Sequence, residues 1–325
     1  MSSRRALLAD VGGTNVRVAV TGADGRPGPA VVERASDAGS FEAVLARAAR
    51  RLGLTAPPDA VAVCAAGPAH DGVVRMTNLP WVVDATALRT ATGAADVVVV
   101  NDFTALAWSL PHLGADDLDH LGGPGEGAGT RAVIGPGTGL GVATLARGPR
   151  GWMVVDGEGG HVTLPATTAR EQAVVRELTR RFGHASAERA LSGPGLVALA
   201  AALAVVAGET AATLDTPEAV VAAADGGDRL AGEAVALFTS WLGGVAGNLA
   251  LTVGARGGVY LAGGIVPAWG ARFDRERFRA SFLAKGRLRA YLEGIPVWLV
   301  TAAQPALVGL AALVADRAGG GAGCA

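Results

Sequence analysis

Lysine is all but missing from this chain: among 28 basic residues in a length of 325, Lys285 is the only lysine. A Walker A phosphate loop needs Gly-Lys-Ser/Thr, and Lys285 is followed by Gly286, so that mode of nucleotide binding is excluded. Schiff-base and protein-kinase uses of lysine would also rest on that one side chain. Cysteine is nearly as scarce. Cys64 and Cys324 form no zinc spacing, no CxxC and no disulfide framework, as expected for a reducing compartment. Aromatics make up 5% and the formal net charge is −1, which leaves no basic field for nucleic acid or an anionic membrane. A strand begins by about Ala6, leaving no space for the apolar core of a signal peptide. The uncharged run Val235 to Ala255 is long enough to span a bilayer, but its glycines and Asn248 suit a helix buried in a protein core. A cytoplasmic protein without membrane or nucleic-acid partners is expected.

What is abundant is Ala, Val and Gly, with half the residues apolar, and the length favours two domains. The run Val97 to Val100 reads as a strand buried on both faces of a parallel sheet, ending in Asn101 and Asp102. Ligands of open α/β sheets bind at that carboxyl edge. From this stretch alone, Asp102 reads either as the cap of a helix from Thr104 to Leu110 or as a ligand-facing acid. Two strand pairs carry a Gly-Thr turn. One is Ala6–Val11 and Val16–Val20 around Gly12-Gly13-Thr14-Asn15, an ordinary type I′ or longer turn on local grounds. The other is Ala132–Ile134 and Leu140–Leu145 around Gly137-Thr138-Gly139. This repetition argues for two related α/β halves. Helices are expected at 168–182, 194–207, 217–224, 228–253 and 305–315, with further strands at 60–64, 258–262 and 297–300, and a loop at 122–129.

Gly-Thr turns can bind phosphate without lysine, through backbone N–H groups and a hydroxyl, and Asp10 beside the first is placed to hold Mg²⁺ through water. Gly157-Glu158-Gly159-Gly160-His161 suits a loop that aims two polar side chains at a ligand. Glu188 reads locally as a helix-surface acid.

Together these segments resemble the bacterial ATP-dependent glucokinases of the hexokinase/actin-like superfamily, over nearly the whole chain and in order. The resemblance runs through Asp10 to Arg17, Ala66-Gly-Pro68, Met76 to Trp81, Asn101 to Ala107, Gly135 to Gly141, Glu158 to His161, Ser186 to Gly195 and Gly258 to Pro267. No cysteine lies near Gly160-His161, where the related ROK kinases and repressors usually carry a Cys-rich zinc segment. The resemblance implies a two-domain actin-like ATPase (ribonuclease H-like) fold with an interdomain active-site cleft, residues 1–110 plus 301–325 forming a small domain and 111–300 a large one. It implies transfer of the γ-phosphoryl of ATP to the 6-hydroxyl of glucose with Asp102 as base. Glucose would be bound by Asn78, Asn101, Asp102, Glu158, His161 and Glu188. ATP would be held by Asp10, Gly12, Gly13, Thr14, Asn15, Gly137, Thr138, Gly263 and Gly264, with Mg²⁺ near Asp10. A homodimer is implied as well. Other readings remain a kinase for fructose or mannose, a sugar-sensing regulator of kinase fold, and an actin-like filament protein.

Overall fold

The computed structural model describes residues 4–37, 39–76, 79–149, 151–209 and 214–320. They divide into two compact units: one of residues 1–117, 147–156 and 302–325, the other of residues 118–146 and 157–301.

In the first unit, β1 (Ala6–Val11), β2 (Asn15–Val20) and β3 (Val31–Arg34) form an antiparallel run. Helix α1 (Phe41–Arg51), capped by Ser40, returns the chain to β4 (Ala60–Ala65), which lies parallel to β1. A small antiparallel sheet follows, of β5 (Ala69–His70), β6 (Val73–Arg75) and β7 (Val82–Asp84). Its first turn, Asp71-Gly72, has φ of 50° and 75°, as a type I′ hairpin requires. Asp84 caps α2 (Ala85–Thr92), and β8 (Asp96–Asn101) then pairs parallel to β4, giving the order β3-β2-β1-β4-β8. Helix α3 (Asp102–Ser109) leaves directly from β8.

Strict period-2 register divides this sheet into two faces. Leu7, Ala9, Val61, Val63, Val97 and Val99 pack with Phe41, Val44, Leu45 and Leu88 from α1 and α2. Leu8, Ala62, Cys64, Val98 and Val100 pack on the other face with Ala105 of α3 and with Leu307 and Leu310 near the C-terminus.

The second unit opens with β9 (Leu118–Gly122), β10 (Arg131–Pro136) and β11 (Leu140–Gly148). Strand β12 (Gly151–Asp156) falls in the first unit, where it contacts α3; the sequence reading had kept it within 111–300. The expected loop at 122–129 is preceded by β9, whose polar residues hid it. Helices α4 (Ala169–Phe182), α5 (Gly193–Ala207), α6 (Pro217–Asp225) and α7 (Arg229–Val253) follow, α4 with a complete Thr168–Glu171 capping box. Then come β13 (Gly258–Leu261), α8 (Ile265–Trp269), α9 (Arg275–Leu283), α10 (Arg289–Glu293) and β14 (Val297–Val300). Strand β10 is antiparallel to β11 and parallel to β13, β13 is parallel to β14, and β9 closes the far edge antiparallel to β14. The order β11-β10-β13-β14 thus repeats β2-β1-β4-β8 in both sequence and sense.

By length and composition α7 could cross a membrane. It instead sends Phe238, Trp241, Leu242 and Ala246 into a core shared with α5 and with Phe278 and Phe282 of α9.

The last helix, α11 (Pro305–Gly320), extends past the expected 315 and lies against α3. The rest of the Gly/Ala tail lies outside the described residues. A Cβ at Gly309 would collide with the carbonyl oxygen of Ala105 and crowd Ser109 N. Gly309→Ala should therefore force the two helices apart and cost about 1–3 kcal/mol. This would be read as a lower denaturant midpoint at unchanged m-value; an unaltered midpoint would mean that the crossing is not tightly packed.

Candidate functional site

Three parallel strands in register carry the first half of the site. Asp10 on β1 aligns with Cys64 on β4, and Cys64 aligns with Val100 on β8, so Asp102, two residues on, belongs to the same face as Asp10. Asn101 Oδ1 accepts from Phe103 N at 2.8 Å and caps α3, while its Nδ2 donates to Gly67 O at 2.9 Å. The cap is therefore Asn101, and the reading of Asp102 as N-cap is corrected. The helix begins at Asp102 rather than Thr104 because Asn101 already supplies the oxygen that the first turn needs. Asp102 Oδ1 adds a 3.0 Å bond to Phe103 N.

A free aspartate titrates at about 3.9, and a helix N-terminus lowers it further. Burial instead raises the carboxyl from 3.8 to about 6, the Phe103 N–H opposing the shift and the neighbouring Asp10 charge adding to it. Asp10 is raised for the same reason, burial, against the pull of Arg17 at 3.6 Å. Cys64 Sγ lies 3.6 Å from Asp10 Oδ1, and its own thiol is pushed well up by burial.

The turn after β1 is stitched by Gly12 N donating to Asn15 O at 3.0 Å, with Gly13 and Thr14 exposed at its tip. Neither Gly12 nor Gly13 has a positive φ, so it is not the type I′ turn considered from sequence. The turn after β10 is one residue shorter: Gly137 N donates to Gly139 O at 2.8 Å, and Thr138 is exposed.

In the second unit a cavity of 580 Å³ is lined by Gly137, Thr138, Gly193, Gly264, Trp269 and Arg272 among others. Its wall includes Pro217, Glu218, Val221, Ala222 and Asp225, a stripe along α6 at helical spacing, and the far end carries the Asp225–Arg272 ion pair at 2.8 Å. The sequence pattern predicts the helix at 217–224 but not its place in this wall, nor that of Trp269 and Arg272. The usable signal was the apolar Ile265 to Trp269 directly after Gly263-Gly264. Gly264 lines this cavity. Gly263, grouped with it from sequence, has φ of 78° and packs its Cα against the carbonyl oxygen of Pro136, so its glycine requirement comes from backbone packing.

Glu158 and His161 flank a single 3₁₀ turn, both exposed, with His161 Nε2 and Glu158 Oε2 3.8 Å apart. Backbone bonds from Ala187 N to Val162 O (2.8 Å) and from Leu164 N to Ala185 O (2.9 Å) join this loop to the segment of Glu188. Glu188 is not a free surface acid: its Oε2 accepts from Leu140 N at 2.9 Å. Asn78 lies outside the described residues.

Two α/β units with matching sheets, each with a Gly-Thr turn between its first antiparallel strands, are the architecture of a sugar kinase. The model of the glucokinase family matches residues 7–317. The chain is 47% identical to a glucokinase of Aromatoleum aromaticum over 94% of its own length and 93% of the relative's. It is 43% identical to one of Paramagnetospirillum magneticum, covering 97% and 98%. Among solved structures, the crystal structure of a glucokinase from an Antarctic psychrotroph superposes with a TM-score of 0.87 at 32% identity, covering 96% of this chain and 99% of that one. The chain belongs to the glucokinase family.

Burial of Asp102 also has a consequence for stability. A carboxyl whose folded pKa exceeds its ordinary value binds its proton more tightly in the fold. The contribution of Asp102 to stability is therefore full below pH 3.8 and is lost as pH rises through about 6. Asp102→Asn keeps the oxygen facing Phe103 N and removes the charge. It should raise stability at pH 7 by up to about 3 kcal/mol, with the gain vanishing near pH 3.5. Thermal melts of both proteins at the two pH values test this; a variant less stable at pH 7 would refute a costly native charge.

Proposed function

We propose that this member of the glucokinase family transfers the γ-phosphoryl of ATP to the 6-hydroxyl of glucose with Asp102 as the proton acceptor. The observation that carries the assignment is a buried carboxylate at the carboxyl edge of a parallel sheet, raised to about 6 and so still mostly ionised at neutral pH. A general base works best with a pKa near the working pH, and Asp102 meets that condition better than an ordinary aspartate would. As the sugar oxygen forms its bond to phosphorus, the bond from phosphorus to the β-phosphate bridging oxygen breaks, ADP leaves, and the hydroxyl proton passes to Asp102. Asn101 orients this residue through the cap it makes and the bond it gives to Gly67 O.

Glucose presents a ring of hydroxyls, and Asn78, Asn101, Asp102, Glu158, His161 and Glu188 offer the acceptors and donors to match it. Gly12, Gly13, Thr14 and Asn15 in one unit, and Gly137 and Thr138 in the other, supply N–H and hydroxyl donors for phosphates. The 580 Å³ cavity, which runs from Thr138 past Gly264 to Trp269, supports an adenosine site of which Gly263 forms the backing. Among the described residues no three metal-ligating side chains cluster, which fits Mg²⁺ held by phosphate oxygens and water with Asp10 as its outer contact. Mg²⁺ there would neutralise charge on the β- and γ-phosphates. The absence of cysteine between Cys64 and Cys324 supports the branch apart from the ROK kinases. A cytoplasmic homodimer remains the expected setting, and sedimentation would report its mass.

A matrix of sugars and phosphoryl donors tests the reading: glucose with MgATP should give the highest kcat/KM, and preference for another hexose or another donor would displace it. Asp102→Asn should lower kcat by about 10²–10⁴ while glucose still binds. In the unaltered protein kcat/KM should fall as pH drops through about 6, where Asp102 takes up its proton. Near-normal turnover by the variant, or a flat profile down to pH 5, would remove Asp102 from the role.

A further inference from the structure

We propose that Glu188 is a positioning residue that couples sugar binding to the seating of the nucleotide's phosphates. This rests on the assignment of Glu188 to the glucose site made above. A carboxylate has two oxygens, and here they are divided between two tasks. Oε2 is committed to Leu140 N at 2.9 Å, at the outgoing end of the second Gly-Thr turn. Oε1 accepts no hydrogen bond among the described residues and is available to a sugar hydroxyl.

The carboxylate lies hard against the turn it holds. A Cβ added at Gly139 would fall 2.5 Å from Oε2, so the glycine is what lets the carboxylate reach the Leu140 amide. The incoming end of the same turn is fixed by the same segment of chain, because Gly193 N donates to Gly137 O at 2.8 Å. Between these two grips the segment is itself rigid. Ser192 Oγ donates to Glu188 O at 2.9 Å and accepts from Gly195 N at 3.0 Å, which caps α5. The stretch from Glu188 to Gly193 thus clamps both ends of the turn whose Gly137 and Thr138 line the nucleotide cavity.

A hydroxyl bound to Oε1 fixes the side-chain torsions that also set the position of Oε2. Sugar binding therefore bears part of the ordering cost of the Leu140 bond, and the nucleotide meets a turn already ordered. Linkage makes the effect reciprocal: whatever factor glucose applies to nucleotide affinity, the nucleotide applies to glucose affinity.

The test is calorimetric titration of the full-length protein with a non-hydrolysable ATP analogue and Mg²⁺, with and without saturating glucose. Glucose should tighten analogue binding by about fivefold or more. Glu188→Ala should bring that ratio to about one, whereas Glu188→Gln, whose amide oxygen can still accept from Leu140 N, should retain most of it. If Glu188→Ala binds glucose too weakly to saturate, Gly139→Ala provides the reading. It keeps the carboxylate but forces it off the turn, and the ratio should again approach one. A ratio of one in the unaltered protein, or an unaltered ratio in Glu188→Ala or Gly139→Ala, overturns the coupling. Failure of the unaltered protein to phosphorylate glucose would instead overturn the functional reading on which it rests.

Discussion

An ionised carboxylate beside a dry sheet is expensive, and the surroundings of Asp102 compensate it only in part. Val97 and Val99 of the edge strand β8 are buried with α1 and α2, while Val98 and Val100 are half-buried with α3 and α11, so the residue that follows emerges where water is scarce. The opening N–H groups of α3 favour its charge, and Asn101 removes the need for Asp102 to serve as cap. Asp10, on the same face, works against it. The balance lands near pH 6 because desolvation exceeds what one helix N-terminus returns. Had the helix prevailed, the group would be a weak base at neutral pH. The same strain that makes the fold less stable makes the carboxylate a better proton acceptor, a trade common at sites of reaction.

Much of this was legible in the sequence, for identifiable reasons. The Ala/Val strands announce themselves because parallel strands covered on both faces are apolar without interruption. Each Gly-Thr turn is bounded by such strands, so the repetition could be read, and with it the kinship of the two halves, though the shared strand order emerges only in the structure. What was hidden depends on partners distant in the chain. β9 is a short strand with Asp119 and His120 in its middle; Asp119 is paired with Arg275, and the His120 ring lies tilted against Trp298. The α6 wall of the 580 Å³ cavity gains its polar end from a pairing of Asp225 with Arg272. Glu188 resembles a surface acid until Leu140, 48 positions away, is seen to donate to it. The Asp71-Gly72 hairpin is different, because its turn signal is fully local.

The scarcity of lysine bears on the phosphate chemistry. The single lysine is spent elsewhere, Lys285 Nζ donating to Gly244 O of α7 at 2.9 Å with its ammonium held half-buried. Arg17 faces Asp10 and is partly neutralised by it. Neither Gly-Thr turn therefore has a mobile cation of its own among these groups, and the donors that remain are backbone N–H groups and threonine hydroxyls. Such donors do not reach; they act only where the backbone is already placed. A turn that recognises phosphate by its backbone must be held from outside, and the second turn is held at both ends, by Glu188 and by Gly193. Bracing of this kind transfers the demand for precision from a flexible side chain to a framework that a neighbouring ligand can tighten. That is the physical ground on which the two substrates of such an enzyme can sense one another without any large rearrangement.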